Sequence, residues 1–197
     1  MAVYPAPLLA LVLLLGLPAA GPAEQRAAPG KIVDYRDVQP ILVGRCAKCH
    51  APQGMMGPAP EGYSLASYAE TLAQGERARV VPGLAEASEL VRRIRGQARP
   101  RMPFDGPPFL DETEIALIVA WIDQGARDAQ GNPAPAPREA KLRLHGRLGA
   151  NGQLDGLALR ITAASRVEGA PQPGDYVQVR GRLLEDGSLL VERIRRR

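Results

Sequence analysis

Cys46-Ala47-Lys48-Cys49-His50 holds both cysteines of this 197-residue chain and one of its two histidines. Two residues between the cysteines let one turn of chain offer two thiols to two points on a single rigid partner. The histidine that follows leaves the same turn. Haem suits that arrangement: its two vinyl groups take up the thiols, and the imidazole then reaches the iron from the same side. Cys46 and Cys49 are therefore read as the covalent anchors of one haem c, and His50 as an axial iron ligand. Two other uses of the motif stay open. A zinc site needs about four ligands, and beyond these three the chain offers His145 and carboxylates. A redox dithiol belongs in a βαβ setting, whereas the flanking patterns here are helical.

An electron carrier needs a sixth ligand, and a methionine thioether favours ferrous iron. Met55 and Met56 follow His50 so closely that the chain would have to double back around the haem edge at once. Met102 sits in Pro100-Arg101-Met102-Pro103, where two prolines stiffen the loop and remove backbone donors. Met102 is the expected second axial ligand.

Composition and the N-terminus bound the address. Residues 8–17 form an apolar run of signal-peptide length, too short to span a bilayer comfortably, and small residues lead to a plausible cleavage site before Glu24. Residues 1–23 are read as a signal peptide, with an uncleaved membrane anchor as the alternative. No Lys or Arg precedes the run. Either way the rest of the chain is expected outside the cytoplasm, periplasmic or secreted. The net charge is +4, almost all of the positive residues being Arg, and aromatics make up only 4%. No aromatic–basic alternation builds a stacking platform for nucleic acid, so a mildly basic soluble surface is the reading. With 19 Pro and 21 Gly, a large loop fraction is expected, and a macrocycle would supply much of the apolar core.

Residues 24–30 read as a leader, 31–128 as a helical domain carrying the motif, 129–140 as an extended Pro/Ala linker, and 141–197 as a β-rich module. In the helical part, Tyr35 to Val43 delivers the chain to Cys46, with Pro40 limiting its regularity. Ser67 and Glu70 have capping-box spacing and Gly75 is a terminator, predicting a helix over 67–74. Another opens at Ser88 and closes near Gly96. The clearest begins at Asp111, with Glu114 in the reciprocal capping position and Ile115, Ile118, Val119 and Ile122 on one face. Trp121 lies beside that stripe, and Gly125 ends the helix.

Asp37-Val38-Gln39-Pro40-Ile41-Leu42, Val81-Pro82-Gly83, Ser88-Glu89-Leu90, Arg101-Met102-Pro103, Glu114-Ile115 and Trp121-Ile122-Asp123-Gln124-Gly125-Ala126 occur in order around the motif. Together they make residues 31–128 resemble the bacterial class I mono-haem cytochrome c domain. The resemblance implies a mainly α fold with the haem in a crevice, His50 proximal, Met102 distal, and the terminal helices crossing at one haem edge. The loop from Ala51 to Gly62, rich in Pro and Gly, departs from the pattern.

Arg92, Arg93, Arg95, Arg99 and Arg101 precede Met102. They read either as a basic rim that pairs a haem propionate or steers an acidic redox partner, or as a solvated helix face. In the last module Leu142–Leu148 and Tyr176–Leu183 alternate apolar and polar residues, and Asp186-Gly187 signals a hairpin into Leu189–Ile194. Five short strands in this module suggest a small OB-like β-barrel, similar to small barrel domains of bacterial envelope proteins. His145 reads as structural or solvated. The terminal arginines read as a solubilising tail, with lipid or partner contact as the alternative.

The expected function is single-electron transfer through one covalent His/Met-ligated haem, with redox proteins as partners and no substrate-binding catalytic site evident. An enzyme is the less favoured reading, because peroxidase chemistry needs an open iron position and a distal base. The alternative is a haem-containing sensor or binding module, or a subunit of a larger oxidoreductase, in which the β-barrel engages a partner.

Overall fold

In the computed structural model, which describes Met1, residues 30–137 and residues 139–197, the first helix begins where Asp34 caps it. The signal-peptide reading falls outside the described residues. Asp34 accepts the Arg36 amide at 2.8 Å while the Asp37 carboxylate accepts the Asp34 amide at 3.1 Å, closing both orphan donors of the first turn. Helix α1 (Tyr35–Ile41) contains Pro40 and continues as a π-helical turn, Leu42–Ala47, that carries Cys46. The missing proline N–H breaks the regular ladder.

Helix α2 (Tyr68–Leu72) starts at the Ser67 cap and stops two residues short of the expected end. Helix α3 (Glu89–Ile94) closes at Gly96, whose φ of +76° suits glycine. Helix α4 (Glu112–Asp123) has the full Asp111/Glu114 capping box. Its buried face is Ile115, Ile118, Trp121 and Ile122. Val119 packs against that core half-buried, while Trp121, with no exposed surface, extends the buried face on its other flank and donates its indole N–H to the Arg127 carbonyl at 2.9 Å. Three of the few aromatic side chains meet here. Tyr35 of α1, Tyr68 of α2 and Trp121 of α4 have ring centroids 5.3 to 6.5 Å apart, joining the terminal helices. The four helices have 7, 5, 6 and 12 residues, so loops occupy more of this half than "mainly α" implies, in keeping with its Pro and Gly.

Six strands follow: β1 (Lys141–Arg147), β2 (Gln153–Leu154), β3 (Leu157–Arg160), β4 (Arg166–Glu168), β5 (Tyr176–Leu183) and β6 (Leu189–Arg196). The sheet order is β1-β5-β6-β3-β2, with β4 also on β6. Alternation puts Leu142, Leu144, Val177, Val179, Val191 and Ile194 in one core. Ala78, Val81 and Ala87 of the helical half join that core.

The expected barrel is corrected to an open sheet of six strands, not five. Between β1 and β2 only an isolated bridge, Leu148–Leu154, is present. The reason is Arg92. Its guanidinium, with no exposed surface, donates to the carbonyls of His145 in β1 at 3.0 Å and Leu154 in β2 at 3.2 Å, and pairs with Asp155 at 2.6 Å. A side chain from α3 thus occupies the seam where a closing ladder would run. Gly146 makes room for it, since a Cβ there would collide with both Asp155 and Arg92. Arg92 is therefore neither rim nor solvated face; the helical half and the sheet are docked through it.

The segment expected as a linker has no helix or strand over 129–137 and packs back on the helical half. Ala134 donates to the Gly125 carbonyl at 2.8 Å and joins the core containing Trp121. Ala140 is buried in the sheet core.

Asp155→Ala leaves the buried Arg92 without its counter-ion. It is expected to lower stability by about 3–5 kcal/mol in urea unfolding. A loss under about 1 kcal/mol, the value of an exposed pair, would refute the central role of this contact.

Candidate functional site

The motif folds as one turn. The amides of Cys49 and His50 both donate to the Cys46 carbonyl, at 3.1 and 2.8 Å. The chain then bends back tightly at Gly54, where a Cβ would overlap the Cys49 carbonyl. Only glycine permits that return. The Leu65 amide donates to the His50 carbonyl at 2.7 Å. His50 Nδ1 lies 3.2 Å from the Tyr63 carbonyl. A carbonyl only accepts, so Nδ1 carries the proton and Nε2 is left as a free electron-pair donor, the tautomer a metal ligand needs.

His50 and Cys46 line a cleft whose empty space, including its open mouth, is about 870 Å³. Met102 lines it as well, held by its amide donating to the Arg93 carbonyl at 3.1 Å. Three of the four expected site residues are thus gathered on one cleft. Cys49, in the same turn, is half-buried and is not among the residues that line the cleft. Met55 and Met56 are 81% and 75% exposed and do not line the cleft, which separates them from Met102.

The Cys46 thiol is buried, and that burial pushes its pKa up to about 11. A dithiol oxidoreductase works with a depressed thiol pKa, so this environment opposes the redox-dithiol reading. Among the described residues no group of three or more His, Cys, Asp or Glu is gathered as a metal site would require.

Tyr63, Leu65, Leu90 and Ile94 make apolar walls, and the charged lining is confined to Glu61, Arg77, Arg79, Glu89 and Arg93. Haem has an apolar macrocycle with two carboxylates at one edge, and these residues fit it: apolar walls, an imidazole with a free nitrogen, a thioether, and arginines for the carboxylates. Sequence reading named Arg93 as a candidate for this rim but missed Glu61, Arg77 and Arg79, because they are scattered and follow no spacing.

Glu61 is the hub. It lies at φ +54° in the short turn Pro60–Gly62, a strained region for a side-chain-bearing residue. Its carboxylate accepts from Arg77 at 3.0 Å, Arg79 at 2.9 Å and Arg143 of β1 at 2.8 Å. Burial opposes its ionisation, but Arg77, Arg143 and Arg79 outweigh that and hold its carboxyl below the usual range. Arg77 also pairs with Glu89, and the Arg79 guanidinium lies 4.7 Å over the Tyr63 ring.

The other arginines expected at the rim are engaged nearby: Arg93 with Glu89, Arg95 with Glu86, Arg99 over Tyr176 and Arg101 over Phe109. His145 lies outside the cleft, its Nε2 at 2.8 Å from the Gln178 amide nitrogen.

A family model described as Cytochrome c matches residues 37–126. The match spans the motif, the cleft and Met102, and identifies this part of the chain as a cytochrome c domain. Such a domain implies a haem-binding electron carrier with covalently bound haem c. No curated protein and no solved structure matches the chain.

Burial, then Arg93, pulls the His145 pKa down to about 4, below its unfolded value of about 6.5. Between those values the unfolded chain binds the extra proton, so His145 stabilises the fold fully above about pH 6.5 and less as pH falls towards 4. Urea midpoints of His145→Gln are therefore expected to fall less steeply than wild type between pH 7 and about 4. Equal slopes would refute this assignment.

Proposed function

We propose that the protein is an exported electron carrier of the class I cytochrome c type. One haem c is attached through Cys46 and Cys49 and ligated by His50 and Met102. The observation that carries the reading is the cleft itself, where a tautomerically set His50, the Cys46 thiol and the Met102 thioether line one apolar space. When bound, the haem supplies one-electron ferric–ferrous chemistry. The chain's own contribution would be to hold the iron with His50 and Met102, so that little rearranges on electron transfer, and to keep water from it with Leu65, Leu90 and Ile94. Arg77, Arg79 and Arg93 line the same cleft and would offset the charge of the propionates. The apolar run at residues 8–17 supports export, to the periplasm or beyond.

A second reading makes the chain a sensor or a subunit of a larger oxidoreductase, with the sheet engaging a partner. It is favoured by the Glu61–Arg143 contact, which ties the sheet to the cleft wall at 2.8 Å.

The absorption spectrum of the exported, haem-loaded protein separates the two. A low-spin spectrum with a sulfur–iron charge-transfer band that disappears in Met102→Ala is expected of the carrier. A high-spin wild type would overturn it in favour of the second reading. Replacing Cys46 and Cys49 with Ser is expected to abolish haem that survives denaturing electrophoresis; haem retained in that variant would refute covalent attachment.

A further inference from the structure

We propose that Arg180, at the centre of a row with Arg143 and Arg193 across the polar face of the sheet, binds a side-chain carboxylate of an acidic polypeptide. Its role as redox partner rests on the carrier reading above. In register, Arg143 lies opposite Arg180, and Arg180 opposite Arg193. Directly opposed like charges destabilise a sheet, yet three arginines stand side by side here and Arg166 of β4 continues the row.

The two ends of the row already hold carboxylates. Glu61 accepts from Arg143 at 2.8 Å. Glu168 accepts from Arg193 at 2.7 Å and Arg166 at 2.6 Å. Arg180, in the middle, has no carboxylate or hydrogen-bond acceptor among the described residues, and its Nε is buried without a partner, as are the Nε atoms of Arg143 and Arg193. In the next register, Arg195 and Arg197 share the single oxygen of Gln178, which adds no negative charge. Half-buried guanidinium forks selecting carboxylates at both ends of a row define the chemistry expected at its centre.

Nucleic acid is a poorer fit, because the Tyr176 ring is already engaged by the His145 ring and the Arg99 guanidinium rather than standing open as a stacking platform for bases. Location supplies the function. Glu61 lines the haem cleft and holds Arg143, so a partner on this row lies against the cleft wall, and electrostatic steering delivers it there.

The test measures binding of poly-L-glutamate to the full exported chain at low and high salt. Arg180→Gln is expected to weaken binding roughly tenfold. The charge-matched control Arg160→Gln, on an exposed residue paired with Asp186, is expected to change it by less than about twofold. Arg180→Lys, which keeps the charge and loses the fork, is expected to fall between. Equal binding by Arg180→Gln and Arg160→Gln would overturn the proposal. So would Arg180-dependent binding of duplex DNA or phosphatidylserine vesicles with none of poly-L-glutamate. Absorption spectra of the same samples keep the two readings apart. Arg180-dependent binding by a chain that carries no haem supports this surface while the carrier reading fails; a normal haem spectrum with Arg180-independent binding overturns this surface alone.

Discussion

A single fully buried guanidinium organises this molecule. Arg92 leaves α3 and takes the carbonyls of β1 and β2 together with the Asp155 carboxylate. A charge in that position is tolerated only when its donors are paired, because its desolvation cost is large. The pairing specifies where the sheet sits on the helices, keeps the β1–β2 seam from closing, and requires glycine at 146. Ala78, Val81 and Ala87 then complete a core that the strands could not close alone.

That docking has a chemical consequence on the other side of α3. With β1 held against the helix, Arg143 reaches the Glu61 carboxylate at the edge of the cleft. The charged wall of the haem site is therefore shared between the two halves of the chain. Glu61, held at an unfavourable φ, is the joint. Its carboxylate is balanced by three arginines from two structural units, which makes the electrostatics at the cleft a property of the whole chain.

The cytochrome c domain and its cleft illustrate a division of labour. The residues proposed for covalent attachment and axial ligation come from short segments whose geometry is local. The motif is one hydrogen-bonded turn, and Met102 is pinned by one hydrogen bond from its amide to the Arg93 carbonyl of α3. The environment of those groups is assembled from distant residues, including the Tyr63 carbonyl that sets the His50 tautomer.

Much of this was legible beforehand, for physical reasons that differ by residue. The helix starts at Ser67 and Asp111 could be read because a cap acts over three residues. The three long strands could be read because their period of two is a local signal. Cys46, Cys49, His50 and Met102 stood out because their chemistry is rare in this composition. Arg92 gave no such sign: in a row of five arginines it resembles a solvated face, and nothing local separates it from Arg95. Trp121 is buried beside the expected stripe, where α1 and α2 present tyrosines to it. The charged wall of Glu61, Arg77 and Arg79, and the open seam of the sheet, depend on pairings between residues far apart in the chain. The amino-acid order by itself determined the haem-binding turn and the local elements, since those rest on interactions within a few residues. Only the tertiary structure decided how the sheet meets the cleft, because burying a charge selects its partners by distance in space rather than in sequence.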